Sequence, residues 1–121
     1  MKIKNIKFKA KQLNSGKWFE GDLVRLGNRV CIGGDHIKDG ITDVDPSTVC
    51  MFTGLKDCEG KELFEHDLIH FVGFTHTAEV VWSEGNYAFM VVSENKHSYW
   101  LHNVIKVCRI ERIGNKFDKN K

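Results

Sequence analysis

The chain has 121 residues, a formal net charge of +2, 41% hydrophobic residues and 11% aromatic residues. That length suits one domain or two small units sharing a core, and the apolar content excludes a largely disordered chain. No apolar run approaches the roughly 20 residues that a membrane-spanning helix needs. The basic N-terminus lacks the apolar segment of a signal peptide. We therefore expect a cytoplasmic protein with no membrane partner.

The first part of the chain, residues 1–49, is predicted to be a β-meander followed by an acidic loop. Lys7, Lys9 and Lys11 alternate with apolar residues, which is the period of a half-buried strand with its lysines facing outward on a sheet edge. Further strands are expected at residues 18–26 and 29–32, with a bulge or corner at residues 20–22. The loop at residues 33–45 is rich in Gly and Asp and ends in a short helical turn capped by Asp45.

The second part, residues 50–121, is predicted to be a small β-barrel with a flexible basic tail at residues 116–121. Runs of β-branched and aromatic residues predict strands at residues 68–72, 76–82, 87–92 and 104–113. Residues 99–101 are predicted to form a short 3₁₀ turn. The fold class is therefore all-β, with at most one short helical turn.

Two corners in the chain resemble each other. Residues 19–24 align with residues 64–69, and Gly21 in one copy stands where the other has His66. A Gly at that place suggests a backbone position near positive φ, which His tolerates better than most residues. We expect each corner to begin a strand. Asp57 and Gly60 occupy the first and fourth places of a predicted type I turn before the second corner.

The run from Thr53 to Ile69, with its Thr-Gly-Leu-Lys-Asp segment and its aromatic-Glu-x-Asp-aliphatic corner, resembles the YopX family of phage and prophage proteins. Residues 6–10, 44–49 and 113–118 resemble the family's opening strand, its middle segment and its closing Gly-Asn segment. The resemblance implies a small all-β phage or prophage protein of the bacterial host cytoplasm, with an SH3-like barrel in its C-terminal part. The family has no assigned reaction, so the resemblance implies no catalytic residue.

Charge is unevenly distributed along the chain. Residues 1–19 hold six lysines and no acid, residues 35–67 hold nine acids and three lysines, and residues 106–121 hold six basic residues and two acids. This polarity could steer a nucleic acid to one face, could join the ends of one copy to the middle of another, or could be ordinary solvated strands. The candidate nucleic-acid contacts at the N-terminus are Lys2, Lys4, Lys7 and Lys9.

Residues with catalytic or metal-binding chemistry are scattered. The acid pairs Glu20/Asp22 and Glu65/Asp67 lie at turns, where carboxylates commonly accept bonds from backbone N–H groups. The four cysteines have irregular spacing without a Cys-x-x-Cys pair, so free thiols are expected. We predict no cofactor, no metal and no enzymatic activity. The alternative of a metal-dependent enzyme built on the acidic turns is the weakest reading.

Binding is the expected mode of action, and its surfaces are expected in the second part. Tyr99 and Trp100 lie beside a loop, which makes them candidates for an exposed contact with a peptide or a nucleic acid. The strand at residues 87–92 is apolar on both faces, which indicates a central strand or a contact between copies. The sequence predicts a self-associating binding module that forms a homo-oligomer; a nucleic-acid binder using the basic N- and C-terminal segments is the alternative. It identifies no small-molecule ligand.

Overall fold

A computed structural model describes residues 2–118 of the chain. Most of this part is β-strand, arranged in antiparallel sheets, and this confirms the predicted all-β class. The strands are β1 (Phe8–Lys11), β2 (Trp18–Leu26), β3 (Arg29–Gly33), β4 (Ile41–Asp43), β5 (Cys50–Lys56), β6 (Glu62–Phe64), β7 (Asp67–Phe71), β8 (Thr77–Ser83), β9 (Ala88–Ser93), β10 (Ser98–Trp100) and β11 (Ile110–Asn115).

Helical structure is more extensive than predicted. An α-helix, α1, spans Leu101–Val107, and 3₁₀ turns lie at Ile3–Asn5, Lys38–Gly40 and Pro46–Thr48. The prediction of a strand beginning at residue 104 is therefore wrong, and so is the 3₁₀ turn predicted at residues 99–101. Leu101 and Val104 are buried one helical turn apart, so burial of one helix face outweighs the strand preference of the β-branched residues. None of the helices described in residues 2–118 is long and apolar enough to cross a membrane.

The chain divides into two compact units, Met1–Phe52 and Thr53–Lys121. The domains predicted at residues 1–49 and 50–121 stay a prediction. In the first unit the strand order is β4-β3-β2-β1, followed by the first residues of β5. Its apolar core consists of Ala10, Ile32, Ile37 and Val44.

Strand β1 is central in the first unit, because it pairs with both β2 and β5. The prediction of an edge strand guarded by outward lysines is therefore wrong. Strand β2 changes partner within the predicted corner, since Gly21 pairs with Phe8 of β1 and Asp22 pairs with Gly33 of β3. A Cβ atom on Gly21 would lie 2.2 Å from the Gly33 carbonyl oxygen, so only glycine fits this corner.

The two corners that align in sequence have different structures. His66 adopts the left-handed conformation, with φ of 71°, in a turn between β6 and β7. Gly21 has φ of 158° inside the continuous strand β2. The positive φ predicted at His66 is confirmed, whereas the prediction that both corners begin a strand is wrong at Gly21. Backbone pairing within the sheet therefore overrides the local likeness of the two segments.

The second unit contains the remainder of β5, its hairpin partner β6, and a five-stranded sheet of order β10-β9-β8-β7-β11. Helix α1 leads from β10 into β11, which returns to pair with β7. One face of the sheet covers the core, which consists of Leu63, Ile69, Ala78, Val80, Val91, Leu101, Val104 and Ile110. The strand pairs described in residues 2–118 do not join β10 to β11, so closure into an SH3-like barrel stays a prediction.

The first residues of the predicted flexible tail make contacts with the second unit. The Asp118 carboxylate accepts a hydrogen bond from the Asn115 backbone N–H at 2.9 Å. The Phe117 ring packs edge-on against His66, with 5.2 Å between ring centroids. The flexibility of the tail stays a prediction, and residues 119–121 of it lie outside the described residues.

Candidate functional site

The N-terminal lysines predicted to contact nucleic acid do not form one exposed row. Lys2, just before the first 3₁₀ turn, and Lys4, within it, are exposed, whereas Lys9 is only 5% exposed. The Lys9 Nζ lies 4.7 Å from the centroid of the Trp18 ring. The Lys7 Nζ lies 4.9 Å from the ring centroid of Phe52. An ammonium group held over an aromatic face is attracted by the negative face of the ring. The lysine stems also cover apolar surface.

Tyr99 and Trp100 are 46% and 39% exposed, as predicted for a contact surface, but they face opposite sides of the sheet. Both lie on β10, where side chains alternate. Tyr99 pairs with Val91, which points into the core, and Trp100 pairs with Met90 on the other face. The two aromatics therefore belong to two different surfaces, one at the core side and one on the outer face.

Tyr99 lines an aromatic groove of about 540 Å³ at one end of the five-stranded sheet. The β7–β8 loop, the β9–β10 loop and helix α1 form its walls. Three of its lining side chains are large, apolar and exposed: Phe74 at 65%, Val107 at 79% and Tyr99. The polar lining side chains are Ser93, Asn95, His76 and His97, and none of the carboxylates in the described part of the chain lines the groove. A concave, mostly apolar surface with a few polar groups is the usual form of a ligand site.

The groove walls are held in place by local hydrogen bonds. The His70 imidazole Nε2 bonds to the Phe74 carbonyl oxygen, and the Phe74 N–H donates to the Phe71 carbonyl at 3.0 Å. In the β9–β10 loop, the Ser93 N–H donates to the His97 carbonyl at 2.9 Å. The exposed rings are therefore presented by closed turns, which lowers the entropy lost when a ligand binds.

The outer face of the same sheet carries a second apolar surface. Register places Leu68, Glu79 and Val92 in one row and Val81, Met90 and Trp100 in the next. A shallow depression of about 380 Å³ lies here, and Ile113, which is 56% exposed, also lines it. We call the side chains of Leu68, Val81, Val92, Trp100 and Ile113 the outer patch. Glu79, Glu94 and Lys96 border the depression.

A buried polar cluster lies at the corner between β6 and β7. Asp67 is fully buried, and its Oδ2 accepts a hydrogen bond from the Phe64 N–H at 2.7 Å. Its Oδ1 accepts a bond from Asn115 Nδ2 at 2.8 Å. The Arg112 Nε lies 3.1 Å from Asp67 Oδ2 without hydrogen-bond alignment, so this contact is an ion pair only. A carboxylate enclosed by donors in this way fixes the turn and leaves little room for a reacting group.

The model of the YopX protein family matches residues 7–121. The chain belongs to the YopX family. No curated protein matches the chain. The stretches that carry the YopX resemblance meet in the buried cluster, because Asp67 lies in the central run and Asn115 in the closing Gly-Asn segment. In this YopX chain, the Asp–Asn contact therefore joins β7 to β11, which are the first and last strands of the five-stranded sheet in chain order.

A second buried carboxylate connects the YopX turn at Asp57 to the same strand β11. The Asp57 Oδ1 accepts bonds from the backbone N–H groups of Glu59 and Lys61, and its Oδ2 accepts one from Arg112 at 2.8 Å. Burial by itself raises the pKa of Asp57, but these three donors favour the carboxylate and hold its pKa below the ordinary value. The predicted turn is present, with the Gly60 N–H donating to the Asp57 carbonyl at 3.1 Å.

The remaining chemically active side chains do not assemble into one site. Within residues 2–118, no group of three or more His, Cys, Asp or Glu side chains is placed to hold a metal ion. All four cysteines are free, with Cys31 and Cys50 buried and Cys58 and Cys108 exposed. Burial, together with a hydrogen bond to Asp43, raises the pKa of the Cys31 thiol.

Sequence reasoning missed the groove residues other than Tyr99. Phe71, Phe74 and Val107 come together only when two loops and a helix meet at one end of the sheet. A signal was nevertheless present, because residues 71–78 and 95–110 contain no acid in a chain that has sixteen. Both segments also contain aromatic residues, and a β-hairpin separates them in the chain. When strands from the two segments pair, these segments are predicted to form a single electropositive surface.

Proposed function

We propose that this YopX-family protein is a phage-type accessory protein of the host cytoplasm that acts without catalysis, as a self-associating binding module. The outer patch is the observation that carries this proposal. Trp100 and Ile113 are exposed and Leu68, Val81 and Val92 are half-buried on this sheet face. Apolar residues gathered on one face of a sheet mark a contact with another macromolecule.

The proposed occupant of the outer patch is a second copy of the chain. The depression is bordered by both signs of charge, since Glu79 and Glu94 lie near Lys96. A two-fold axis placed between the acids and the lysine would bring each copy's acids toward the other's lysine, which makes the patch self-complementary in an isologous interface. The patch is modest, which fits an association in the micromolar range.

An SH3-like architecture of the second unit is part of the proposal. The order β10-β9-β8-β7-β11, with helix α1 leading into a last strand that returns to the first, supports it. In this arrangement the loops at one end of the sheet are free to bind a ligand while one sheet face is free to meet another copy. Binding, and not turnover, also fits the use of Asp67, whose oxygens are occupied by backbone and side-chain donors.

Sedimentation equilibrium from about 1 to 100 µM tests self-association, since that range brackets micromolar dissociation constants. The wild type should shift from monomer to dimer, and Ile113→Glu should remain monomeric because symmetry buries two unpaired carboxylates. Leu13→Glu is the control, since Leu13 is equally exposed at 59% but lies in a turn of the first unit. A wild type that stays monomeric throughout, or a dimer that Ile113→Glu leaves intact, would refute the proposal.

A further inference from the structure

The aromatic groove differs from the outer patch in its charge as well as its position. Its two walls, residues 71–78 and 95–110, contain no acidic residue. Exposed Lys106 and Arg109 flank Val107 and Cys108, which line the groove. Three acids adjoin these segments in sequence, and none of them lines the groove. Glu94 accepts a hydrogen bond from Thr77 at 2.8 Å and borders the outer-patch depression together with Glu79, and Glu111 lies 3.9 Å from His70. The groove is therefore an electropositive surface with apolar walls.

The rings in the groove are presented for stacking. Phe74 and Tyr99 are exposed aromatics on opposite walls, and His76 lies edge-on to Phe74 with 6.5 Å between ring centroids. Aromatic and imidazole rings of this kind stack on unpaired nucleobases, while neighbouring cations contact the phosphates. A base-paired duplex offers no free base faces, and a neutral peptide would leave Lys106 and Arg109 without a partner.

We infer that the aromatic groove binds single-stranded nucleic acid, with Phe74 and Tyr99 stacking on bases and Lys106 and Arg109 contacting phosphates. Lys106 and Arg109 belong to the basic C-terminal segment of the nucleic-acid alternative predicted from the sequence, whereas the N-terminal lysines of that alternative are not used, since Lys9 and Lys7 lie over aromatic rings. The groove is also a different surface from that of the proposed self-association. Nucleic-acid binding at the groove and self-association at the outer patch can therefore be refuted independently.

Fluorescence anisotropy with the full chain tests the inference. The probes are labelled (dT) and (rU) strands of about 12 nucleotides, a duplex of the same length, and a proline-rich peptide. Both single strands should bind more tightly than the duplex or the peptide. Phe74→Ala and Tyr99→Ala should each weaken binding about fivefold or more, which is the lower end expected for one lost stacking contact. Tyr87→Ala is the matched control, because Tyr87 is 79% exposed in the β8–β9 turn and does not line the groove.

The phosphate contacts have a separate readout. The logarithm of the affinity should fall linearly with the logarithm of salt concentration, and Lys106→Gln or Arg109→Gln should each reduce that slope by about 0.7. Ile113→Glu should bind the strands as the wild type does, which separates this result from self-association. The inference is overturned if neither strand binds at low salt, if the peptide or duplex binds better, or if Tyr87→Ala weakens binding as much as Tyr99→Ala. Loss of binding in Ile113→Glu with Tyr99→Ala unaffected would also overturn it.

Discussion

Replacing Asp67 with Ala tests whether the YopX corner is the structural anchor of the second unit. Asp67 is fully buried, and its carboxylate accepts bonds from the Phe64 N–H and Asn115 Nδ2. Its removal deletes the acceptor of both bonds and takes the carboxylate partner away from Arg112, whose Nε lies 3.1 Å from Asp67 Oδ2. Removing one partner of a fully buried ion pair costs about 3–5 kcal/mol, and because the Arg112 side chain is 28% exposed we expect the lower end of that range, about 3 kcal/mol. That is a large part of the roughly 5–15 kcal/mol by which a domain is stable.

Urea unfolding measures this effect. With a slope near 1–3 kcal/mol per molar urea, the midpoint of Asp67→Ala should fall by about 2 M. Asp22→Ala is the matched control, because Asp22 is the aligned residue of the other corner and is exposed. Its free energy of unfolding should change by less than about 0.5 kcal/mol, as expected for a surface substitution.

A double variant separates the free-energy cost of leaving Arg112 without its ion-pair partner from the cost of the two lost hydrogen bonds. Arg112→Met combined with Asp67→Ala should recover about 1 kcal/mol relative to the sum of the single changes, because the half-buried guanidinium is then no longer present without its partner. If Asp67→Ala shifted the midpoint no more than Asp22→Ala, the buried cluster would not anchor the sheet. Strict additivity of Asp67→Ala and Arg112→Met would show that the 3.1 Å contact contributes nothing.

Three further predictions concern stability. The pKa of Asp57 is lower in the folded state than in the unfolded state, so the Asp57 carboxylate stabilises the fold above about pH 4 and loses this effect as pH falls through the folded pKa. The urea midpoint of Asp57→Asn should therefore be lower than that of the wild type at pH 7, and the two midpoints should converge in acid. Gly21→Ala should cost at least about 2 kcal/mol by thermal unfolding, because its Cβ would overlap a carbonyl oxygen at 2.2 Å, whereas Gly85→Ala, with open space around it, should not destabilise. Lys9→Ala should cost about 1–2 kcal/mol through its lost contact with an indole ring, while Lys2→Ala, exposed at the N-terminus, should cost under about 0.5 kcal/mol in the same assay.

The regular strands of this fold could be predicted from the sequence, because alternation and turn residues are local signals. The hairpin turn at Asp57, the cap of Asp45 on the 3₁₀ turn and the positive φ of His66 follow from the chemistry of those residues. Helix α1 was missed because its β-branched residues favour strand locally and are overruled by burial of Leu101 and Val104.

Predictions that depended on which strands are neighbours failed. Lys9 alternates as an outward residue should, yet its environment is set by Trp18, which sheet register brings beside it from the next strand. The two aligned corners differ for the same reason, because Gly21 pairs with a residue of the neighbouring strand, whereas His66 lies in a turn between two strands. Register is a long-range property, and a local pattern does not specify it.

Tyr99 and Trp100 show why the two proposed surfaces are separable. Adjacent residues of a strand point to opposite faces, so β10 contributes one aromatic to the groove and the next to the outer patch. The YopX corner lies elsewhere, at the junction of β7 with β11, where Asp67 and Asn115 fix the strands that carry both surfaces. Asp67 and Asn115 hold the sheet together, whereas the two proposed contact surfaces use other side chains of the same sheet. It follows that Asp67→Ala should reduce both self-association and the binding of single-stranded nucleic acid. Ile113→Glu should reduce only self-association, and Tyr99→Ala should reduce only nucleic-acid binding.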